Sequence, residues 1–272
     1  MEFKTVIEKL DAYCDISLAE SWDNVGLLIE PYSTYTQNPL VKRVMLCIDL
    51  TVPALEEAKA QGATLIIAYH PVLFSNFKRI TPSTGIKQRI ACDALEHGIA
   101  VYCPHSSLDA KVGGMNEWLG GGIGAGEFKP ITPAEVPPHA PGSGSGRVLT
   151  LAEPITVEEF GARLQKHLGE GRHVRLARSP CGAERIRTVS ICVGSGAGVV
   201  DAVKVDAYLT GEMSHHVVLN AVESGVHVFL SEHTATERGF LDAVLKPELE
   251  KLFEGKIEFF ISKNEDEIIR VV

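Results

Sequence analysis

The sequence predicts an α/β fold in two parts. Its 272 residues are enough for one large domain or for two of ordinary size. Short apolar segments alternate with segments whose apolar residues have helical spacing, and this order implies parallel pairing of the strands. A tract rich in glycine and proline separates two stretches that share this rhythm.

The first stretch begins with an amphipathic helix that places Phe3, Val6 and Leu10 on one face, together with Ile7. Thr51 is an N-cap residue for a later helix, and Gly98 stops another. The predicted elements after the first helix are a strand ending near Glu30, a strand at 41–48, a helix at 51–61, a strand at 64–69, a polar loop at 75–83, a helix at 84–97 and a strand at 99–103.

The second stretch restarts as a strand at Gly146, and Thr156-Val-Glu-Glu159 has the pattern of a capping box that opens a helix to about Leu168. The later elements are a strand at 186–193, a helix at 197–203, a strand at 205–209, a helix at 214–224, a strand at 226–230, a helix at 234–253 and a strand at 256–261. We expect a first α/β domain at 1–126, a linker at 127–146 and a second α/β domain at 147–272, with a C-terminal strand that could return to the first.

The composition argues against several classes of protein. A net charge of −9 does not suit direct binding of a nucleic-acid backbone. No apolar run approaches the ~20 residues of a membrane span, and the N-terminus has no signal core. The six cysteines form no C-x-x-C pair, and reduced thiols fit a cytoplasmic protein. The nucleus and the mitochondrion stay open as locations.

Four predicted strands run directly into side chains of the kind that bind metals. Sites in open α/β sheets form beyond the carboxyl ends of the strands. Because four such ends coincide, the sequence predicts a clustered metal site. The residues at these ends are His70, then His105 and Asp109, then Glu212 with His215 and His216, and finally His233.

The first of these residues also have ordinary structural interpretations. Pro71 favours extended backbone at His70, whose ring could simply cap the strand end through a backbone hydrogen bond. Asp109 could bond its own backbone in the loop before Gly113. If His105 and Asp109 bind a metal, an imidazole and a carboxylate suit Zn²⁺, Mn²⁺ or Fe²⁺ better than Mg²⁺.

Two roles compete for Glu237 in the later part of the chain. It would share a helical face with His233 if the helix began there, but it also completes a capping box with Thr234. The segment Gly194–Gly198 favours a tight turn over a phosphate-binding loop.

Adjacent histidines on a helix point about 100° apart, so His215 and His216 cannot easily bind one ion together. Either of them, or Glu212, could orient a ligand or carry a proton. The segment Trp22-Asp23-Asn24 is most simply a loop against the core.

Taken together, these segments resemble the Nif-three family, whose members are also known as GTP cyclohydrolase 1 type 2 homologs. The residues of these motifs resemble those of the eukaryotic branch of the family. The matching segments lie in order along nearly the whole chain: Ser21-Trp-Asp-Asn-Val-Gly-Leu27, Tyr69-His-Pro71, Tyr102-Cys-Pro-His-Ser-Ser-Leu-Asp109 with Gly113-Gly-Met-Asn116, Tyr208-Leu-Thr-Gly-Glu-Met-Ser-His-His216 and Ser231-Glu-His-Thr-Ala-Thr-Glu-Arg-Gly239.

The resemblance implies two α/β domains with mixed or parallel sheets flanked by helices, and a two-metal cleft between them. It also implies a homohexamer built as a trimer of dimers. It places the metal ligands on His70, Asp109, His233 and Glu237, and a further cleft histidine on His105. Tyr69 stands where the bacterial pattern has another histidine, so one or two ions per chain are expected.

Two functions follow as expectations. The first is a metal-dependent hydrolase in which a metal-activated water attacks a nucleotide-like substrate, as in a type 2 GTP cyclohydrolase, and in which His105 or Glu212 moves protons. The second is a metal-binding scaffold or a transcription-related interaction protein without catalysis, for which protein partners are expected. Tyr69 favours the second function, because a weakened second ion site makes a poor two-metal catalyst.

Overall fold

The computed structural model describes residues 1–74, 77–264 and 268–269. Contacts between Cα atoms divide the chain into two compact units. The first unit comprises Met1–Leu108 and Leu241–Ile268, and the second comprises Asp109–Phe240 together with Ile269 onwards. These limits are not those of the predicted domains, which stay a sequence prediction. Parts of the predicted loop at 75–83 and of the C-terminal end at 265–272 lie outside the described residues.

The elements of the N-terminal half follow the predicted order closely. Phe3, Val6 and Leu10 of the first helix are buried, as their spacing predicts. The elements are α1 (Phe3–Cys14), a 3₁₀ turn (Ile16–Leu18), β1 (Gly26–Ile29), α2 (Tyr32–Gln37), β2 (Arg43–Cys47), α3 (Val52–Ala60), β3 (Leu65–Ala68), α4 (Ile86–Glu96), β4 (Ala100–Cys103), α5 (His105–Ala110), α6 (Met115–Gly121) and β5 (Gly126–Lys129).

Three strands, β5 to β7, lie within or at the edge of the segment predicted as a linker at 127–146. The elements that follow β5 are β6 (Thr132–Pro133), β7 (Gly144–Ser145), β8 (Arg147–Thr156), α7 (Val157–Leu168), β9 (Arg175–Ala177), β10 (Arg185–Cys192), α8 (Ala197–Val200), β11 (Ala207–Thr210), α9 (His215–Glu223), β12 (His227–Leu230), a 3₁₀ turn (Thr234–Thr236), α10 (Arg238–Phe240), a π-helical turn (Leu241–Leu245), α11 (Lys246–Leu252) and β13 (Glu258–Ile261).

The first unit contains a five-stranded mixed sheet in the order β1-β4-β3-β2-β13. The strands β13, β2, β3 and β4 run parallel to one another, as the alternation of strands and helices predicts. Only β1 runs antiparallel, beside β4 at the edge. Met45, Ile66 and Val101 of the three central strands pack with Leu55 of α3 and Ile90 of α4 in one buried cluster.

The second unit contains a six-stranded mixed sheet in the order β5-β8-β10-β11-β12-β9. Its centre is parallel, because β11 runs parallel to both β10 and β12. The flanking strands β8 and β9 are antiparallel to their neighbours, so this sheet is mixed, which agrees with the expected mixed or parallel sheets.

Two of the helices begin with a side-chain cap at the residue predicted from the sequence. The Thr51 hydroxyl accepts a hydrogen bond from the Ala54 amide at 3.3 Å, and the Thr156 hydroxyl accepts one from the Glu159 amide at 3.1 Å. The helix predicted at 234–253 is wrong as a single element. It is divided into 3₁₀, α and π turns before α11 begins at Lys246.

A fully buried arginine joins several segments of the second unit through hydrogen bonds. Arg147 at the start of β8 has no exposed side-chain surface, and its Nε lies 2.7 Å from a carboxylate oxygen of Glu117 on α6. A buried cation is tolerable only when its donors are satisfied. The guanidinium nitrogens donate to four carbonyl oxygens, those of Gly144, Gly146, Ala110 and Lys111.

Candidate functional site

Three adjacent parallel strands of the first unit deliver polar side chains beyond their carboxyl ends. Asp49 follows β2, His70 follows β3 and His105 follows β4. Since the strands are in register, these ends meet at one edge of the sheet. The rings of His70 and His105 lie 5.4 Å apart between centroids, so the structure brings these two predicted site residues together.

His70 is oriented by a carboxylate. Its Nδ1 lies 3.0 Å from Asp49 Oδ1. Because a carboxylate oxygen only accepts, the Nδ1–H must be the donor, and the neutral ring then carries its lone pair on Nε2. This is the arrangement that commonly orients a metal-binding histidine and makes it a better ligand.

His105 has the same kind of partner and a strained backbone. Its Nδ1 donates to Asp23 Oδ1 at 2.8 Å. Its φ of +28° lies in a region that residues other than glycine rarely adopt. Strain of this kind persists only where surrounding contacts enforce it, and it concentrates at functional sites.

Asp23 supplies that enforcement. Its side chain is buried, and its second oxygen accepts hydrogen bonds from the Ser106 amide at 3.1 Å and from the Ser106 hydroxyl at 2.6 Å. Burial opposes ionisation of Asp23, yet the hydrogen bonds from His105 and Ser106 outweigh it and hold the pKa of this carboxyl below its usual value. The interpretation of residues 22–24 as a plain loop therefore misses the anchor of His105.

Tyr69 lies beside both histidines of this cluster. Its side chain is buried, and its ring centroid lies 5.0 Å from that of His70 and 5.4 Å from that of His105. The Cys103 thiol donates to the Tyr69 carbonyl at 3.0 Å, and burial raises the pKa of this thiol well above its usual value. A bulky phenol thus fills the position at which the bacterial pattern has a second histidine.

Asp109 lies on α5, one helical turn after His105. Its side chain is partly buried, and its carbonyl oxygen accepts a hydrogen bond from the Asn116 side chain at 3.1 Å. The Asn116 oxygen in turn accepts from the Val193 amide at 2.9 Å, at the end of β10. Within the second unit, Asp109 is therefore tied to the carboxyl end of a central strand.

The second unit repeats the arrangement of the first. Gly194 follows β10, Glu212 follows β11 and His233 follows β12, which are three adjacent parallel strands. Glu212 Oε1 accepts from His233 Nδ1 at 2.8 Å, and His233 Nε2 lies 3.4 Å from Glu237 Oε1. The structure thus brings together three of the predicted site residues of this unit.

Two glycines provide the space that these side chains occupy. A Cβ at Gly194 would lie 2.6 Å from Glu237 Oε1 and 2.8 Å from His233 Nε2, and its φ of +60° also disfavours other residues. A Cβ at Gly211 would lie 2.8 Å from His233 Cα. A side chain at Gly194 would displace the donor atoms, and one at Gly211 would displace the backbone at His233. Close approach therefore requires glycine at both positions, and conformation requires it at Gly194 as well.

The Gly194–Gly198 segment is a structural turn, as predicted. The Gly194 carbonyl accepts from the amides of Gly211 and Glu212 at 2.9 and 3.0 Å, and the Gly194 amide donates to the Thr236 hydroxyl at 2.9 Å. These bonds lock the loops after β10, β11 and β12 to each other. His215 and His216 at the start of α9 are exposed, with ring centroids 5.4 Å apart.

The donor chemistry of both units fits a divalent transition metal. His70, His233 and Glu237 each offer a ligand atom of the type that such ions take. All three histidines at strand ends donate Nδ1–H to a carboxylate, and this orientation leaves Nε2 as the lone-pair nitrogen. The cradle formed by Gly194 and Gly211 is the second observation that fits an ion beside His233.

Sequence reasoning missed two of the orienting carboxylates, Asp23 and Asp49. Asp49 directly follows an apolar strand, so the strand-end pattern that identified His70 could have identified it as well. Asp23 lies in a loop and carries no comparable local signal. Glu212 was expected to be an orienting residue or a proton carrier, and its contact with His233 Nδ1 gives it the position of the former.

Comparison with known proteins identifies the family. The profile of the Duf34/NIF3 family (NGG1p interacting factor 3) matches residues 1–267. The chain belongs to this family. Its resemblance to the Nif-three family, predicted from the motifs, is thereby confirmed.

Individual relatives match the chain over nearly its whole length. It is 32% identical to NIF3-like protein 1 of Dictyostelium discoideum, with 99% of this chain and 97% of that protein covered. It is 38% identical to NIF3-like protein 1 of Drosophila melanogaster, with 98% and 88% covered.

A solved structure confirms the fold of this family member. The crystal structure of the Staphylococcus aureus hypothetical protein SA1388 has a TM-score of 0.83 at 23% identity, with 100% of this chain and 99% of that chain covered. At this identity the likeness shows the α/β fold alone. Among the described residues, no helix combines the length and apolar character that crossing a bilayer would require.

Proposed function

We propose that this Duf34/NIF3 protein is a metal-dependent hydrolase that acts on a nucleotide-like substrate. His70, Asp109, His233 and Glu237 serve as ligands for one or two ions of zinc, manganese or iron. The observation that carries the proposal is the repeated pairing of a strand-end histidine with a carboxylate, at His70–Asp49 and His233–Glu212. Such pairs raise the basicity of the ligand and fix its direction.

A divalent ion held by these residues would supply Lewis acidity, which makes water available as a nucleophile at neutral pH. The protein's own groups do the rest. His105 exchanges a proton with the substrate or the leaving group through Nε2, since Nδ1 is held by Asp23. Glu212 holds the ring of His233 in its ligand orientation, and Asp49 does the same for His70.

The substrate class is taken from the resemblance to type 2 GTP cyclohydrolase homologs, which favours a nucleotide with a purine ring. The negative net charge of the chain argues against a nucleic acid as the substrate. We further propose that the protein assembles as a homohexamer, a trimer of dimers, and works in the cytoplasm, as expected from the resemblance and from the cysteine content.

A second candidate is a metal-binding interaction protein. The family description names an interaction with NGG1p, and this suggests a protein partner for the chain. Tyr69 is the observation that favours this alternative. Its buried ring lies beside both His70 and His105, and a phenol is a weaker ligand than an imidazole at neutral pH because its ordinary pKa is about 10.

One experiment separates the two candidates. Wild-type protein, His70→Ala and the surface control His97→Ala are loaded with zinc, manganese or iron and incubated with nucleoside triphosphates and phosphoesters. We expect turnover in the wild type and in His97→Ala and none above background in His70→Ala. Turnover that is unchanged in His70→Ala would refute the hydrolase mechanism.

The number of metal ions bound per chain also distinguishes the hydrolase from the interaction protein. Elemental analysis of protein purified without chelator is compared with that of Tyr69→His. About two ions per chain in the wild type favours hydrolysis. One ion or fewer, with an increase in Tyr69→His, favours the interaction protein.

A further inference from the structure

Two exposed aromatic residues of the first unit lie next to its histidines. Trp22 and Phe74 are 60% and 54% exposed, and their ring centroids are 6.1 Å apart at an interplanar angle of 69°. The Trp22 ring also lies 6.0 Å from that of His105, which lies 5.4 Å from that of His70. A row of aromatic rings therefore leads from solvent to a proposed metal ligand.

The surrounding chain fixes this aromatic pair in place. The Asn24 side-chain amide donates to the Leu73 carbonyl, which ties the loop of Trp22 to the segment of Phe74. On the other side of Trp22, the buried carboxylate of Asp23 is held by His105 and Ser106, and its amide donates to the Glu20 carbonyl at 2.9 Å. The segments that carry both rings are thus held in place before any ligand binds, which lowers the entropy lost on binding.

The pair has the composition of a ligand subsite. Pockets for small molecules are lined by aromatic side chains and by a few polar groups that fix the ligand's orientation. Here the polar groups are the imidazoles of His105 and His70, which directly continue the row of rings. Aromatic side chains also bind nucleobases by stacking, with little dependence on which base is present.

We infer that Trp22 and Phe74 hold the planar nitrogen heterocycle of the substrate, beside His105. This inference rests on the proposed function and deepens it, because it names the part of a nucleotide that the first unit recognises. The occupant is a flat, purine-sized ring, and binding of the ring requires neither its sugar nor its phosphate.

The test is calorimetric titration of the full-length, metal-loaded protein with guanosine and with ribose 5-phosphate. The variants are Trp22→Leu, Trp22→Phe, Phe74→Leu and, as a matched control, Tyr35→Leu. Tyr35 is 62% exposed on α2 and has Tyr32 as an aromatic neighbour at 6.4 Å, so it resembles Trp22 in exposure and pairing. Thermal melting of each variant confirms that it folds.

We expect guanosine to bind about tenfold more weakly to Trp22→Leu than to the wild type, the effect of losing one stacked base contact. Phe74→Leu should weaken binding in the same direction, Trp22→Phe should restore part of the affinity, and Tyr35→Leu should bind like the wild type. Ribose 5-phosphate should show no difference between Trp22→Leu and the wild type.

Three results would overturn the inference. One is equal guanosine affinity in the wild type, Trp22→Leu and Phe74→Leu. Another is no guanosine binding to the wild type at millimolar concentration. The third is a change in oligomer mass in Trp22→Leu without a change in affinity, which would assign the pair to a contact between copies. The hydrolase proposal fails separately, through unchanged turnover in His70→Ala, and guanosine binding would survive that failure.

Discussion

The carboxylate of Asp23 binds the imidazole of His105 across 82 positions of sequence, with Oδ1 and Nδ1 2.8 Å apart. The second oxygen of Asp23 holds Ser106, the next residue. One side chain therefore fixes both the ring of His105 and the backbone that follows it. This explains how the chain maintains a φ of +28° at His105 immediately after β4.

We expect Asp23→Asn to destabilise the protein by about 2 kcal/mol at pH 7. The side-chain NH₂ group of asparagine would face the amide and hydroxyl of Ser106, which are donors themselves and would lose their acceptor. The folded pKa of Asp23 is depressed, so its stabilisation is fully present above the unfolded pKa of ~3.9 and is lost as the pH falls through the lower folded value. The difference between wild type and variant should therefore be constant from pH 7 to about 5 and shrink below about 4.

Urea unfolding at a series of pH values measures this difference. Asp201→Asn is the matched control, since Asp201 is exposed and should change stability by less than about 0.5 kcal/mol. A difference for Asp23→Asn that grows on acidification would contradict the assignment of Asp23 as a carboxylate held ionised by its neighbours.

Glu212→Gln should weaken zinc binding about 10- to 100-fold, because it removes the anionic acceptor that orients His233. Competition with a chromophoric chelator measures the affinity. Glu223→Gln, on the exposed surface of α9, serves as the control and should bind zinc like the wild type. Equal affinities for Glu212→Gln and wild type would mean that His233 is not a ligand oriented by Glu212.

Gly194→Ala should lose zinc binding and destabilise the fold by about 1–2 kcal/mol, since its Cβ would meet both Glu237 and His233 at a left-handed φ of +60°. Gly198→Ala is the control within the same turn. A Cβ there meets nothing within 4 Å, and helix propensity predicts a gain of up to about 1 kcal/mol. Thermal unfolding and chelator competition on the two variants check this contrast, which equal behaviour would disprove.

Arg147→Met should cost about 3–5 kcal/mol, because it leaves the carboxylate of Glu117 and several buried carbonyl oxygens without their cation. Arg187→Met changes an exposed arginine on β10 and should cost less than about 0.5 kcal/mol. Urea unfolding at neutral pH compares the two. A cost below about 1 kcal/mol for Arg147→Met would show that solvent replaces these hydrogen bonds.

Local sequence patterns predict the secondary structure of this chain well where local physics determines it. The capping threonines Thr51 and Thr156 and the stop at Gly98 lie where their residue types require. The antiparallel direction of β1, β8 and β9 was not predicted, because the direction in which a strand pairs depends on tertiary contacts. The helix predicted at 234–253 is interrupted at Glu237, whose φ of −122° lies outside the helical range, and no local residue pattern announces this break.

The residues of the candidate site also divide into those that local sequence patterns identify and those that depend on tertiary contacts. His70, Glu212 and His233 follow strands, so periodicity and residue type together were enough to select them. Asp23 could not be selected, because nothing in the segment around it indicates that it meets His105. Contacts over long sequence separation are set by the packed sheet, and a single sequence does not specify them.

The pairing of β13 with β2 has a consequence for how the protein is made. The strand that completes the edge of the first sheet lies at Glu258–Ile261, more than 200 residues after β2 at Arg43–Cys47. At ~5–20 residues per second on the ribosome, β13 is synthesised roughly 10–40 s after β2, and the edge of β2 stays without this partner until then. An unpaired strand edge invites wrong partners. The newborn chain therefore depends on whatever shields β2 in that interval, and the second unit has time to fold first.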